Sequence, residues 1–302
     1  MSHFVVAGIT QLEMIVNVEE LPIAYTPYTE CPNGITTCPG GDAFNEALAM
    51  RWLGDQVDFL SVIGHTQDLG IFNPPYREVT LNTDYLLPLI ETTPQEVVLY
   101  KDDQHRQIFS DTKDIGDAQY DMEVARPLVE ACDMLVLSNV KFCRPFIELA
   151  KANRKPIALR FHDFDPEKEK KYADFLNAAN ILYFSERNIK SDPYQFVRDI
   201  ANAYDPEIII LGMGLEGLIL YHRSEKLTLH YNLVKTIDIK NTHGAGNALF
   251  SCFLHFYTKD KDAKKAIRYA LLFCSYKMGH DGTSNGFMTI KQLEQWNDLI
   301  WK

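Results

Sequence analysis

"NTHGAGNALF", residues 241–250, is the stretch on which the reading of this chain turns. Gly244, Ala245 and Gly246 lead straight into "ALFSCFLHFY", where nearly every position is apolar, so a deeply buried helix is expected to open here. The first turn of a helix carries backbone N–H groups without partners inside the helix, and a partial positive charge. Small residues let an anion approach that backbone closely. The positions therefore suit a phosphate cradle. They are not a Walker A loop, because the G-x-x-x-x-G-K-[ST] spacing is missing and the neighbouring positions hold neither lysine nor carboxylate. A glycine-rich helix start can also be purely structural, so its meaning depends on what accompanies it.

Two other glycine clusters do. "GMGLEG" (212–217) fits the dinucleotide pattern G-x-G-x-x-G and follows a strand. The segment after it, "LILYHRSEKLTLHY", is strand, so no helix N-terminus follows to hold a pyrophosphate. A Rossmann cofactor site fails on that context, and the glycines read as turns flanking a strand unless other motifs recruit them. "CPGGDAFNEALA" (38–49), by contrast, opens a helix. Gly40 and Gly41 admit a ligand to the backbone, and Asp42 and Asn45 share one face at i, i+3. Those two polar groups suit the hydroxyls of a sugar; the competing role for Asp42 is an N-cap.

Around these motifs short β-rich runs alternate with helical patterns. "FVVAGI" (4–9), "VDFLSVIG" (57–64), "MLVLSN" (134–139), "PIALRF" (156–161), "ILYFS" (181–185) and "EIIILG" (207–212) are compact apolar runs, as strands covered on both faces are. Helices are expected over 42–53, with Ala43, Phe44, Ala47, Leu48 and Trp52 on one apolar face and Gly54 closing it. Others fall near 121–131, 144–154, 166–178 and 192–204. After a hairpin at 218–222 and 227–232 the chain is helical over 246–258, 262–278 and 289–300. The alternation predicts an α/β fold, a doubly wound and mainly parallel sheet with helices on both faces.

Two stretches break the rhythm. Residues 11–37 are rich in Pro, Thr, Tyr and Asn, and 94–112 read as a hairpin about the polar turn "KDDQHR". Together they are expected to form a small β-sheet lid over a site. No repeat or linker divides the chain, so a single domain over 1–302 is expected.

Composition excludes several classes. The 302 residues are 46% hydrophobic and 24% charged, a soluble globular composition able to bury a proper core. Thirty Lys and Arg against forty-one Asp and Glu leave a net charge of −11, which argues against nucleic-acid and anionic-membrane binding. A small phosphorylated ligand in a locally positive pocket remains compatible. The N-terminus "MSHFVVAGITQLEM" has no basic leader, and no apolar run approaches the ~18 residues of a membrane helix. A cytoplasmic location is the expectation. Cys31, Cys38, Cys132, Cys143, Cys252 and Cys274 are scattered, without C-x-x-C or zinc-site histidine spacing. They read as reduced thiols, and no protein-held metal is expected.

Gly-Gly-x-x-x-Asn near the N-terminus, paired with Thr-x-Gly-Ala-Gly-x late in the chain, resembles the ribokinase family, also called the PfkB carbohydrate kinases. The pair is far more specific than either motif alone, and the similarity covers nearly the whole chain. The resemblance implies a ribokinase-like domain with a small β-sheet lid. It also implies transfer of the γ-phosphate of ATP, with Mg2+, to a hydroxymethyl group of a sugar or nucleoside. Carried onto this sequence, Gly41, Asp42 and Asn45 would contact sugar hydroxyls, and Glu13 stands where many members place a sugar-binding Asp. Gly244, Ala245 and Gly246 would form the anion hole, with backbone N–H groups aimed at the transferring phosphoryl. Gly214 and Gly217 would belong to the turn near the nucleotide, and Ser185 and Asn188 fall on the Asn-x-x-Glu that organises magnesium water.

The chain departs from the family pattern at telling places. Asn247 occupies the position of the Asp that accepts the proton of the sugar hydroxyl, and Asn241 the position of an Asp that usually precedes the Thr. "GHTQDLG" is one residue longer than the family's Gly-x-Asp-x-x-Gly. An amide accepts no proton at neutral pH. General base catalysis contributes ~10²–10⁴-fold, whereas positioning and electrostatics dominate phosphoryl transfer, so such a change should slow the reaction without erasing it. His243 is a candidate replacement base, the opposing reading being a ring that points away and fills space. Arg160 and His162, past "PIALRF", lie at the sheet edge where such folds bind ligands; for Arg160 a structural salt bridge is the alternative. Two expectations stand: an ATP-dependent carbohydrate kinase, or a catalytically impaired homologue that binds a sugar or nucleotide as a sensor. The expected partners are a small-molecule sugar and ATP, and a homodimer paired through exposed strand edges of the lid.

Overall fold

The first strand, β1 (His3–Ala7), shows how the core is laid out. Phe4 and Val6 enter one buried cluster while Val5 and Ala7 enter a second, so both faces of the strand are covered. The computed structural model describes residues 1–75, 77–101, 105–161 and 163–301. β2 (Gln11–Asn17) and β3 (Ile35–Gly40) follow, and β3 runs directly into α1 (Asp42–Trp52). Next come β4 (Gln56–Gly64), β5 (Leu86–Ile90), β6 (Gln95–Tyr100) and β7 (Arg106–Asp111). The α/β alternation then takes over with α2 (Met122–Ala131), β8 (Met134–Ser138), α3 (Arg144–Ala152), β9 (Ile157–Arg160) and α4 (Ala173–Ala178). It continues through β10 (Ile181–Ser185), α5 (Pro193–Tyr204) and β11 (Ile208–Gly212). The chain ends with the hairpin β12 (Leu218–His222) and β13 (Leu227–Tyr231) and with α6 (Ala245–Asp260), α7 (Ala263–Met278) and α8 (Ile290–Trp301).

Among the described residues these strands make a nine-stranded sheet, in the order β13-β12-β11-β10-β9-β8-β1-β4-β5, and a four-stranded sheet, β3-β2-β6-β7. The large sheet is parallel from β5 to β11, with β12 and β13 added antiparallel at one edge. α1, α6 and α7 supply one apolar face and α2, α3 and α5 the other, which is the doubly wound α/β arrangement predicted from the alternation.

Some local expectations are corrected. α1 does not present one apolar face: every residue from Asp42 to Met50 is buried, because the helix lies between the sheet and α6. The helix expected over 166–178 begins as a 3-10 segment (Pro166–Tyr172), and only Ala173–Ala178 is α-helical. Gly40, read as part of a helix opening, instead ends β3. β5, "LLPLI", carries no strand signal in the sequence because Pro88 interrupts it; it is an edge strand, where a missing N–H is tolerated. The small sheet is built from the two rhythm-breaking stretches, with the turn residues Asp102, Asp103 and Gln104 outside the described residues. No helix is long and apolar enough to cross a membrane among the described residues.

Candidate active site

Gly244 is the N-cap of α6 with φ of 78°, and a Cβ there would lie 2.4 Å from the Thr283 carbonyl oxygen. Only glycine fits that left-handed backbone at that distance. No side chain caps this helix start among the described residues; the Ala245 N–H donates to the Thr242 carbonyl at 3.3 Å, which leaves the Gly246 and Asn247 N–H groups to meet a ligand. Behind it, a Cβ on Gly246 would sit 2.9 Å from both the Arg160 Nη2 and the Tyr183 hydroxyl. A positive charge thus lies directly against the glycine turn.

Arg160 ends β9 and reaches the first residue of α1, its Nη1 donating to Asp42 Oδ1 at 2.5 Å. Both side chains are more than nine-tenths buried, at 9% and 7% exposure. Arg160 also lies over the Tyr183 ring at 5.3 Å. Burial works to lower its pKa, but Asp42, Tyr183 and Glu46 outweigh that and hold it above the usual value. The salt-bridge reading of Arg160 is the one the geometry shows, whereas His162 lies outside the described residues. Asp42 is not an N-cap: Gly41 takes that position with φ of 92°, without a side-chain cap. The carboxylate is turned to the guanidinium because a buried anion needs a counter-charge more than a helix end needs a cap. Next to it, Glu46 is pushed well above the ordinary carboxyl range by burial and by Asp42, against a smaller pull from Arg160.

Glu13, on β2, ties the small sheet to the same place. Its Oε1 accepts from the Gly41 N–H at 3.0 Å and from the Gln11 amide at 3.2 Å. Its Oε2 lies 3.5 Å from His243 Nε2, which is also 3.4 Å from Glu96 Oε1. The reading in which the His243 ring points away is therefore corrected: it faces two buried carboxylates. Burial would raise the Glu13 pKa, yet the charge and contact of His243 and the Gly41 and Gln11 hydrogen bonds bring it below the usual value.

Asn241 and Asn247 both become buried amides. Asn241 accepts from the His243 N–H at 3.1 Å and donates to the His280 carbonyl at 3.1 Å. Lys277, on α7 and fully buried, donates to the His243 carbonyl and lies 3.5 Å from Asn241 Oδ1. Burial above all lowers its pKa, to about 8. Asn241 Oδ1 therefore accepts one hydrogen bond from a lysine. Asn247 and Asn45 are each buried with a side-chain Oδ1 that has no protein hydrogen-bond partner.

Ser185, Gly214 and Gly217 gather at the carboxyl ends of β10 and β11, where Ser185 pairs in register with Gly212. Asn188 closes a 3-10 turn beside them and donates to Asp163 at 2.6 Å. The Tyr183 hydroxyl links this group to the α6 cradle, lying 2.5 Å from where a Gly212 Cβ would be and 2.9 Å from that of Gly246. Among the described residues, the candidate site residues thus gather at one end of the sheet. Sequence reading missed Glu96, Arg106, Tyr183 and Lys277. Lys277 alone left a trace, as a charge within an otherwise apolar helical face. Arg106, on β7, donates to Thr242 at 3.2 Å and lines, with Ile15, Val98, Tyr100 and 241–243, a cavity of about 10 Å³ under the small sheet.

Comparison with known proteins gives the family and the fold. The family profile described as "pfkB family carbohydrate kinase" matches residues 1–290. A deoxyribokinase of Salmonella typhi is 30% identical over 91 residues, so the match spans only 30% of this chain and 29% of that protein. A ribokinase of Bacillus subtilis is 23% identical over 306 residues, covering 98% of this chain and 99% of its own. The structure of Arabidopsis thaliana ribokinase complexed with ribose and ATP superposes with a TM-score of 0.78 at 16% identity, over 97% of this chain and 98% of that one, which is a likeness of fold. On the profile match over nearly its full length, this chain belongs to the pfkB family of carbohydrate kinases.

Proposed function

We propose that this protein transfers the γ-phosphoryl group of ATP to a hydroxymethyl group of a sugar, with the small sheet as the lid over the acceptor. The observation that carries the reading is the convergence of two unlike surfaces on one pair of side chains. The uncapped α6 start, suited to phosphate, and the Gly41–Asn45 helix start, suited to hydroxyls, meet at Asp42 and Arg160. The N–H groups at the α6 start and the Arg160 charge behind Gly246 would stabilise the phosphoryl as negative charge spreads over its oxygens. Asn45 Oδ1, buried and unpartnered, would accept from a sugar hydroxyl. Asn247 Oδ1 would accept from the reacting hydroxyl and orient it, without removing its proton.

ATP is the proposed donor, supported by the ribokinase structure with ATP. Magnesium would accompany it. The residues at the nucleotide end fit a hard cation's preference for oxygen: Glu186 is raised by burial and then by the charge of Glu216, a repulsion that a divalent ion relieves. Bound with the nucleotide, magnesium would neutralise phosphate charge.

One observation favours a second reading, a sugar or nucleotide sensor: the base position is an amide. ADP release from ATP and magnesium, across a panel of sugars and nucleosides, separates the two. The native protein should turn over one acceptor slowly, and Asn247→Asp should raise the rate by up to ~10²–10⁴-fold, the usual worth of a general base. If neither protein releases ADP while calorimetry still shows sugar or nucleotide binding, the sensor replaces the kinase.

A further inference from the structure

We propose that Glu13, Glu96 and His243 form a divalent-metal site of the zinc class where the small sheet meets the segment leading into α6. It is separate from any cation carried by a nucleotide and does not depend on kinase activity.

Strand register puts the two carboxylates together. β2 and β6 run parallel with Glu13 opposite Glu96, so the side chains leave the sheet on the same face. Like charges so placed repel, and burial strengthens the repulsion. Both carboxylates are buried, with 1% and 4% exposure, and His243 projects between them from a different part of the chain. The three ligand atoms lie within 4.8 Å of one another.

The two separations from the imidazole suit a tetrahedral ion. Bonds of about 2.0–2.2 Å in a tetrahedron put neighbouring ligand atoms about 3.3–3.6 Å apart. Magnesium's octahedron, with bonds of about 2.0–2.1 Å, would draw adjacent ligands to about 3 Å. The observed separations from His243 Nε2 are 3.5 Å and 3.4 Å. Imidazole with two carboxylates is a donor set suited to zinc and its neighbours in the first transition row.

The ligand atoms are also held ready. Gly41 and Gln11 occupy Glu13 Oε1, which leaves Oε2 turned to His243 without a hydrogen-bond partner. His243 Nε2 likewise makes no hydrogen bond, although the residue is only 9% exposed. Its backbone is pinned by Asn241 and Lys277. The cavity of about 10 Å³ that His243 also lines has room for about one water beside the imidazole.

The test uses the full chain, stripped with a chelator, dialysed, and titrated with zinc chloride in calorimetry without nucleotide or sugar. Cobalt(II) serves as a second probe, whose visible absorption reports a tetrahedral environment. One equivalent per chain is expected, with affinity falling by at least about 100-fold in His243→Ala and in Glu13→Gln. His65→Ala, which removes an exposed histidine beside Glu91, should leave binding unchanged. The proposal is overturned if the stripped native protein takes up no zinc or cobalt, or if uptake survives His243→Ala and Glu13→Gln, whether or not His65→Ala removes it. Should either ligand variant fail to fold, the cobalt spectrum of the native protein decides: octahedral absorption overturns the site. ADP release is read separately, so failure of the metal site leaves the kinase reading standing, and the reverse.

Discussion

Replacing Arg160 with Met tests the junction on which the site is built. The guanidinium and Asp42 are 2.5 Å apart, with side-chain exposures of 9% and 7%, so water screens the pair little. Removing one partner of a buried pair costs about 3–5 kcal/mol, mainly because the other charge stays buried. Asp42 would be left beside Glu46, which already feels its charge. Unfolding entropy of about 2.1 cal/mol/K per residue scales to about 0.6 kcal/mol/K for 302 residues, so Tm should fall by about 5–8 °C. The assay is thermal and urea unfolding at pH 7 of native protein, Arg160→Met, Asp42→Asn and the double variant. The double variant should recover part of the loss, since it buries no uncompensated charge. A loss below about 1 kcal/mol for Arg160→Met, the worth of an exposed pair, would refute the argument.

Two more predictions follow from the same geometry. Gly244→Ala forces a Cβ against the Thr283 carbonyl at a φ of 78°, and should cost about 1–3 kcal/mol in urea unfolding; an unchanged midpoint would mean that the turn is not held as described. Glu46 has a folded pKa well above its unfolded value of 4.5, so the folded state favours its neutral form. That stabilising contribution is complete below pH 4.5 and lost as pH rises through the raised value, so native protein should weaken relative to Glu46→Gln over that window. A stability difference that stays flat from pH 4.5 upward would contradict it.

The large sheet and its flanking helices were determined by the sequence alone. Runs such as 134–139 and 207–212 are apolar at consecutive positions, and that pattern is stable only where a strand is covered on both faces. The two glycine-rich helix starts were equally legible, because a glycine before an apolar helix is a local signal. β5 was not, since an edge strand bearing Pro88 breaks the pattern that marks a strand. What only the tertiary structure decided is which charges meet. Arg160 on β9 finds Asp42 on α1, Lys277 on α7 finds the His243 carbonyl, and Glu13 and Glu96 find His243. These partners lie far apart in the chain and depend on strand register and helix packing, which hydrophobic periodicity specifies by face but not by residue. Burial then makes each pairing matter, because a charge out of water needs its counter-charge within a few ångströms.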